Sequence, residues 1–327
     1  MSANHGGNIK TAIETIKAAK RAGADAMKIQ TYTADTITLN CDKPEFMANP
    51  TTIWAGTRLY DLYKEAYTPW EWHEELFRVA HEESITLFST PFDNTAVDLL
   101  ESLGNPIYKI ASYEITDIPL IQYAASKGKP MVLATGIATD EDIQFAVDAC
   151  RKVGNNDTTV LKCTSSYPAP IEEANLVMIQ DIAKRFNVKS GLSDHTLGST
   201  APIVATALGA SMIEKHFIID RSIGGPDCSF SMDEKEFTQM VKDVHMAASA
   251  IGSVTYELTE KMKSGRTGCR SLYIVEDMKA GDTFTEHNLR SVRPGFGLHP
   301  QHLPELLGKK VNRDLEKGVR MTLDYVK

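Results

Sequence analysis

Met131-Val132-Leu133-Ala134-Thr135 is a short apolar run that ends in a hydroxyl. The amphipathic stretch Asp140–Val153 follows it, and then a second apolar run, Thr159-Val160-Leu161-Lys162-Cys163. Strand, helix and strand in this order form a βαβ crossover, with parallel strands buried on both faces. The same alternation extends outward in both directions. Strand patterns fall at Ala26–Gln30, Thr86–Ser89, Ile107–Ala111, Lys189–Leu192 and Ser211–His216, and helical patterns at Asn8–Ala22, Trp70–Glu82, Asn94–Leu103 and Asp233–Ile251. Seven such strands predict an α/β fold, a (β/α)₈ TIM barrel lacking its first strand. A doubly wound open sheet is the competing architecture. The first element is a helix preceded only by Ser2-Ala3-Asn4-His5-Gly6-Gly7, which puts the absent strand immediately ahead of Met1.

The barrel pattern occupies residues 1–252. Residues 253–270, rich in Glu, Lys, Thr and Gly, read as a linker. Residues 271–327 carry a strand pattern at Ser271–Val275 and turn signals at Lys279-Ala280-Gly281-Asp282 and Arg293-Pro294-Gly295. They form a small β-rich domain, with too little core to be expected to stand without docking on something larger.

Composition narrows the function classes. Of the 327 residues, 42% are apolar and 24% charged, as in an ordinary globular protein. No apolar run approaches the roughly 20 residues of a membrane span, and the first residues lack the basic and apolar regions of a signal peptide. The five cysteines have no CxxC spacing, which fits a reducing, cytoplasmic compartment and gives no structural zinc site. A net charge of −8 offers no footprint for nucleic acid. A few lysines in a pocket still suffice to bind a small anion.

Barrel active sites lie at the C-terminal ends of the strands, and here every strand opens into polar residues. His195 and His216 end consecutive strands, where two neutral imidazoles suit a divalent metal; a pair of hydrogen-bonded structural histidines is the other reading. Lys28 and Lys109 are point charges for a phosphate or carboxylate, with Thr90, Ser112 and Thr135 as hydroxyl donors. Glu114 is the best-placed carboxylate for proton transfer, although a charge at the next helix N-terminus has the same spacing. Gln30, Ser165, Tyr167, Ser193, Glu214 and Asp227 complete the polar rim, and Asp194 is expected to orient a neighbouring histidine. Trp54, Trp70 and Trp72 read as packing residues. There is no GxGxxG or Walker-type loop, and no serine sits in a nucleophile elbow.

The strings Ser2-Ala3-Asn4-His5-Gly6-Gly7, Lys28-Ile29-Gln30-Thr31, Phe88-Ser89-Thr90-Pro91-Phe92-Asp93 and Tyr108-Lys109-Ile110-Ala111-Ser112 resemble the N-acetylneuraminate (sialic acid) synthase family. So do Ser193-Asp194-His195-Thr196-Leu197-Gly198 and Ile213-Glu214-Lys215-His216-Phe217, while Arg293-Pro294-Gly295-Phe296-Gly297-Leu298 resembles that family's SAF (antifreeze-like) domain. Tyr67-Thr68-Pro69-Trp70-Glu71-Trp72, Ile115-Thr116-Asp117-Ile118-Pro119-Leu120 and Asp227-Cys228-Ser229-Phe230-Ser231 are similar to its pseudaminic acid synthase branch.

The resemblance implies condensation of phosphoenolpyruvate with 2,4-diacetamido-2,4,6-trideoxy-L-altrose. A divalent metal (Mn²⁺, Mg²⁺ or Co²⁺) would sit on His195 and His216. Lys28, Lys109, Ser112, Thr135 and Ser193 would hold phosphoenolpyruvate, and Glu114 and Asp227 would position or move protons. It also implies a domain-swapped homodimer, in which Arg293 meets the sugar bound by the partner subunit. N-acetylneuraminate or legionaminic acid synthesis is the alternative activity, and an inactive sugar-binding remnant is the non-enzymatic one. The family has an acidic residue in a strand directly before an Ile/Leu-Ser-Ala-Asn-His motif; here Met1 stands at the hydrophobic position of that motif, without the strand and its carboxylate, and Ser165 stands where the family often has Asn.

Overall fold

The computed structural model describes residues 1–50, 52 and 54–327, which divide into two compact units, Met1–Gly252 and Ser253–Lys327. In the first unit seven strands form one curled, TIM-like parallel sheet. They are β1 (Ala26–Thr31), β2 (Thr86–Pro91), β3 (Tyr108–Ile110), β4 (Met131–Ala134), β5 (Thr158–Cys163), β6 (Lys189–Asp194) and β7 (Ile213–Lys215), paired in sequence order. Among the described residues no strand joins β1 to β7, so both are edges.

Every residue of β3, β4 and β5 is buried, as expected of parallel strands covered on both sides. Val97, Leu100, Tyr108, Ile121, Met131 and Leu133 share one core between the sheet and its helices. The helices start where the sequence supplies caps. Asn8 accepts from the Lys10 N–H ahead of Ile9–Arg21, and Thr139 with Asp142 forms a capping box for Asp140–Lys152. Asp233 with Glu236 does the same for Glu234–Ile251.

Several expected elements are shorter than their patterns, β3 by one residue at each end and β4 by its final Thr135 among them. Within 70–82, Trp70–Trp72 is a 3₁₀ turn and the α-helix is His73–Glu82. Pro69 precedes the turn, and the Trp70 indole N–H is tied to the Tyr32 carbonyl, which tightens the entry. Strand β7 has three residues, because Ser211 and Met212 bond to Ser190 and Leu192 outside its ladder. No helix among the described residues is long and apolar enough to cross a membrane.

In the second unit, a helix at Glu260–Gly265 capped by Thr259 lies within 253–270. Strands β8 (Ser271–Ile274) and β9 (Leu289–Val292) pair antiparallel over a core of Leu272, Ile274, Phe284, Leu289, Val311 and Met321.

Candidate active site

Strands β1, β3, β6 and β7 bring four charged or polar side chains to one point. Lys28 Nζ lies 3.4 Å and Lys109 Nζ 3.3 Å from the same oxygen of Glu214, Oε1, with side-chain exposures of 16%, 7% and 18%. Ser193 Oγ donates to that oxygen at 3.1 Å. Burial alone would raise the Glu214 carboxyl, but Lys109 and Lys28 outweigh it and hold it far below the usual range. Burial pulls the Lys28 ammonium down to about 8, against the opposing pull of Glu214. Lysines inside a strand with a single shared counter-charge form a site ready for an added anion.

Sequence position alone gave Glu214 no role beyond membership of the polar rim. The available signal was an acid and a base adjacent in one apolar strand, Ile213-Glu214-Lys215, and their partners come from distant strands.

Hydroxyls and backbone line the β3–β5 side of this centre. Ser112 Oγ accepts the Gly136 N–H at 3.1 Å. Gly136 has no room for a side chain, since a Cβ there would lie 1.9 Å from Ser165 Oγ. Ser165 Oγ and Thr90 Oγ1 are buried and without partners, as are Glu114 Oε2, Glu214 Oε2 and His216 Nδ1. Unpaired buried polar atoms are rare in folded proteins and costly, and the Glu214 and His216 atoms belong to the lysine and histidine cluster itself, which marks a place that expects a polar ligand. Thr135 differs: its hydroxyl donates to the Leu161 carbonyl at 2.9 Å, so it lines the site with its donor already committed. Gln30 Oε1 accepts from Ser2 Oγ at 2.9 Å.

Glu114 occupies the 3₁₀ turn Ser112–Glu114 after β3. Burial raises its carboxyl to about 7, with Lys109 opposing. That places its proton at the working pH of a general acid or base.

His195 and His216 have ring centroids 5.2 Å apart. His195 Nδ1–H donates to the Thr164 carbonyl at 3.0 Å, which leaves Nε2 for a ligand. Burial, His195 and Lys28 push His216 well below its ordinary pKa, so its ring is neutral. Asp227 Oδ2 stands 3.8 Å from His216 Nδ1 and accepts the Ala3 N–H at 3.2 Å. Two such imidazoles fit a divalent ion completed by water and substrate oxygens. Among the described residues no group of three or more His, Cys, Asp and Glu side chains converges on such a point.

Aromatic rings wall the histidines. The Tyr167 ring lies tilted against His195 and Phe230, with centroids 4.5 Å and 5.2 Å away, and Trp54 packs 5.6 Å from Tyr167. Cys163, to which the sequence gave no role, has Sγ 3.9 Å from His195 Nδ1.

Asp194 does not orient a histidine. Its Oδ2 meets Lys215 Nζ at 2.5 Å in a pair almost wholly out of solvent, and it caps Thr196 through both backbone and hydroxyl. Successive strand residues face opposite ways, so Asp194 and Lys215 lie behind the sheet face that carries Ser193 and Glu214. Arg293 belongs to the second unit and directly follows β9.

Residues 15–256 match the NeuB family and residues 270–319 the SAF domain. The chain is 46% identical over 318 residues to the pseudaminic acid synthase of Campylobacter jejuni subsp. jejuni serotype O:2, an alignment covering 97% of this chain and 92% of that protein. It is 44% identical over 327 residues to the pseudaminic acid synthase of Helicobacter pylori, covering 100% and 96%. Among solved structures, the N-acetylneuraminic acid synthetase of Leptospira borgpetersenii serovar Hardjo-bovis superposes with a TM-score of 0.71 at 30% identity, covering 80% of this chain and 87% of that one. With a family match across most of its length and relatives aligned nearly end to end, the chain belongs to the NeuB family.

Proposed function

We propose that this protein is a pseudaminic acid synthase, which condenses phosphoenolpyruvate with 2,4-diacetamido-2,4,6-trideoxy-L-altrose and water to give pseudaminic acid and phosphate. The observation that carries the reading is the convergence of Lys28 and Lys109 on Glu214 beside the histidine pair. Identities of 46% and 44% to two pseudaminic acid synthases favour this sugar over that of the legionaminic acid synthase of Legionella pneumophila, at 33%.

Lys28 and Lys109 take the phosphate and carboxylate of phosphoenolpyruvate, with Ser112 and Ser193 beside them. C3 of phosphoenolpyruvate attacks the open-chain sugar aldehyde, water adds at C2, and phosphate leaves by C–O cleavage. One proton must reach the new hydroxyl and one must leave the attacking water. Glu114, poised near neutrality, exchanges them, and Asp227, 3.8 Å from His216 Nδ1, positions or moves a proton beside it. A divalent ion (Mn²⁺, Mg²⁺ or Co²⁺) on His195 and His216 would polarise the aldehyde oxygen. Tyr167, Gln30, Thr90 and Ser165 line the sugar's side of the site.

The proposal includes a domain-swapped homodimer in which Arg293 reaches the partner subunit's sugar. It also includes a cytoplasmic location, which the five free thiols support.

The test is phosphate release from phosphoenolpyruvate with Mn²⁺, run with the diacetamido-trideoxy-altrose and with N-acetylmannosamine, each with and without chelator. Chelator-sensitive release with the first sugar alone is expected. Release with N-acetylmannosamine alone would overturn the assigned sugar, and release with neither would overturn the activity.

A further inference from the structure

Behind the sheet face that carries Ser193 and Glu214, Lys215 makes contacts that the catalytic reading does not use. The donors of its ammonium all find acceptors on the β6 side. Asp194 Oδ2 accepts at 2.5 Å, and the Thr196 and Gly198 carbonyls accept as well, the latter at 3.1 Å. Asp194 in turn accepts the Thr196 N–H at 2.9 Å and the Thr196 hydroxyl at 3.1 Å. A buried ion pair is often no more stabilising than a well-packed apolar pair of the same volume. Stability alone is therefore a poor account of this one, and its position supplies another.

Asp194 and Lys215 face each other in the last rung of the β6–β7 ladder. The next residue on each strand is a histidine, so His195 and His216 both lie past the ladder that holds Ser193 opposite Glu214. The His195 carbonyl accepts the Ala169 N–H and the His216 carbonyl the Met232 N–H, each at 2.9 Å. Those bonds anchor the histidines to two separate segments, and neither bond ties one histidine to the other. Lys215 supplies that tie. It immediately precedes His216 and grips both residues that flank His195, Asp194 by its carboxylate and Thr196 by its carbonyl. The His195 ring is already turned by the Thr164 carbonyl, so what Lys215 governs is the spacing of the two backbones.

We propose that Lys215 is a positioning residue for the divalent ion. Clamped to Asp194, Thr196 and Gly198 behind the sheet, it sets the spacing at which His195 and His216 present their nitrogens in front. The inference rests on the assignment of those two histidines to a metal under the proposed function, and deepens it. Ligand groups must be held within about 0.5 Å of the productive geometry, and losing the groups that support metal ligands typically weakens metal binding about 10–100-fold. The anion-binding cluster does not share this dependence. Lys28 and Lys109 come from β1 and β3, and Ser193 and Glu214 are held within the ladder.

The experiment compares the full-length parent chain with the double variant Lys215→Met/Asp194→Asn, which removes the clamp and leaves no unpaired buried charge. Mn²⁺ binding is read from the electron paramagnetic resonance of the free ion, and phosphoenolpyruvate binding by calorimetry with chelator present. The double variant is expected to bind Mn²⁺ at least tenfold more weakly than the parent, with its phosphoenolpyruvate Kd within twofold. A merely structural role would weaken both ligands alike or neither, so either result would overturn the proposal. Asp194→Asn alone keeps the ammonium on the Thr196 and Gly198 carbonyls and should lose less Mn²⁺ affinity. A loss equal to that of the double variant would place the effect on the charge pair instead of the clamp, and would also overturn it. Parent-like Mn²⁺ binding in both His195→Ala and His216→Ala would overturn the metal assignment itself, and the clamp with it.

Discussion

Replacing Glu114 by Gln tests the buried carboxyl directly, because the change is nearly isosteric and removes only the ability to ionise. Unfolded, this side chain loses its proton near pH 4.5; folded, burial keeps it protonated to about pH 7. A carboxyl whose folded pKa is raised favours the folded state at low pH, and that advantage drains away as pH climbs from 4.5 to 7. Above pH 7 the ionised carboxylate costs the fold about 3 kcal/mol, at 1.36 kcal/mol per pKa unit. Gln carries no such cost. Glu114→Gln should therefore exceed the parent by about 1 kcal/mol or less at pH 5 and by about 3 kcal/mol at pH 8, the latter a midpoint gain of about 6–12 °C for a domain of this size.

Thermal and urea unfolding followed by circular dichroism at the two pH values give the comparison. The same variant should lose about 10²–10⁴ in kcat as proton exchange fails. A stability difference between variant and parent that is identical at pH 5 and pH 8 would refute the reasoning, whatever happens to the rate.

Lys215→Met strands the Asp194 carboxylate behind the sheet and should cost about 3–5 kcal/mol in urea unfolding. Adding Asp194→Asn should recover part of the loss, and a simple sum of the two effects would deny the coupling. His195→Ala and His216→Ala should each abolish chelator-sensitive phosphate release with the circular dichroism spectrum unchanged; full turnover in either variant would remove that residue from the metal site. Arg293→Ala should raise the sugar KM several-fold and leave the phosphoenolpyruvate KM alone, so equal effects on both would reject the cross-subunit contact.

Strand positions are legible because a parallel strand buried on both faces is largely apolar, as β4 is throughout and β5 is at Val160 and Leu161. The polar residue at each strand's end then announces itself, which is how Lys28, Lys109, His195 and His216 stand out. What a strand-end residue meets is less legible, because partners come from other strands. Glu214 became the hub of the site only when β1, β3 and β7 converged on it. Asp194 was misjudged for the same reason: alternation along β6 sends it to the opposite side from Ser193, where Lys215 waits. Thr135 carries the right chemistry in the right place, yet a neighbouring backbone carbonyl claims its hydroxyl. Side-chain competition of this kind leaves no trace in spacing.

Lys28, buried beside Glu214, also makes this centre a proton buffer. With its ammonium near 8, Lys28 is about half charged at pH 8. A bound dianion restores its full charge, so filling the site takes up about half a proton from solution. The heat of binding at pH 8 will then depend on the ionisation enthalpy of the buffer, and the slope of that dependence counts the proton without any catalysis taking place.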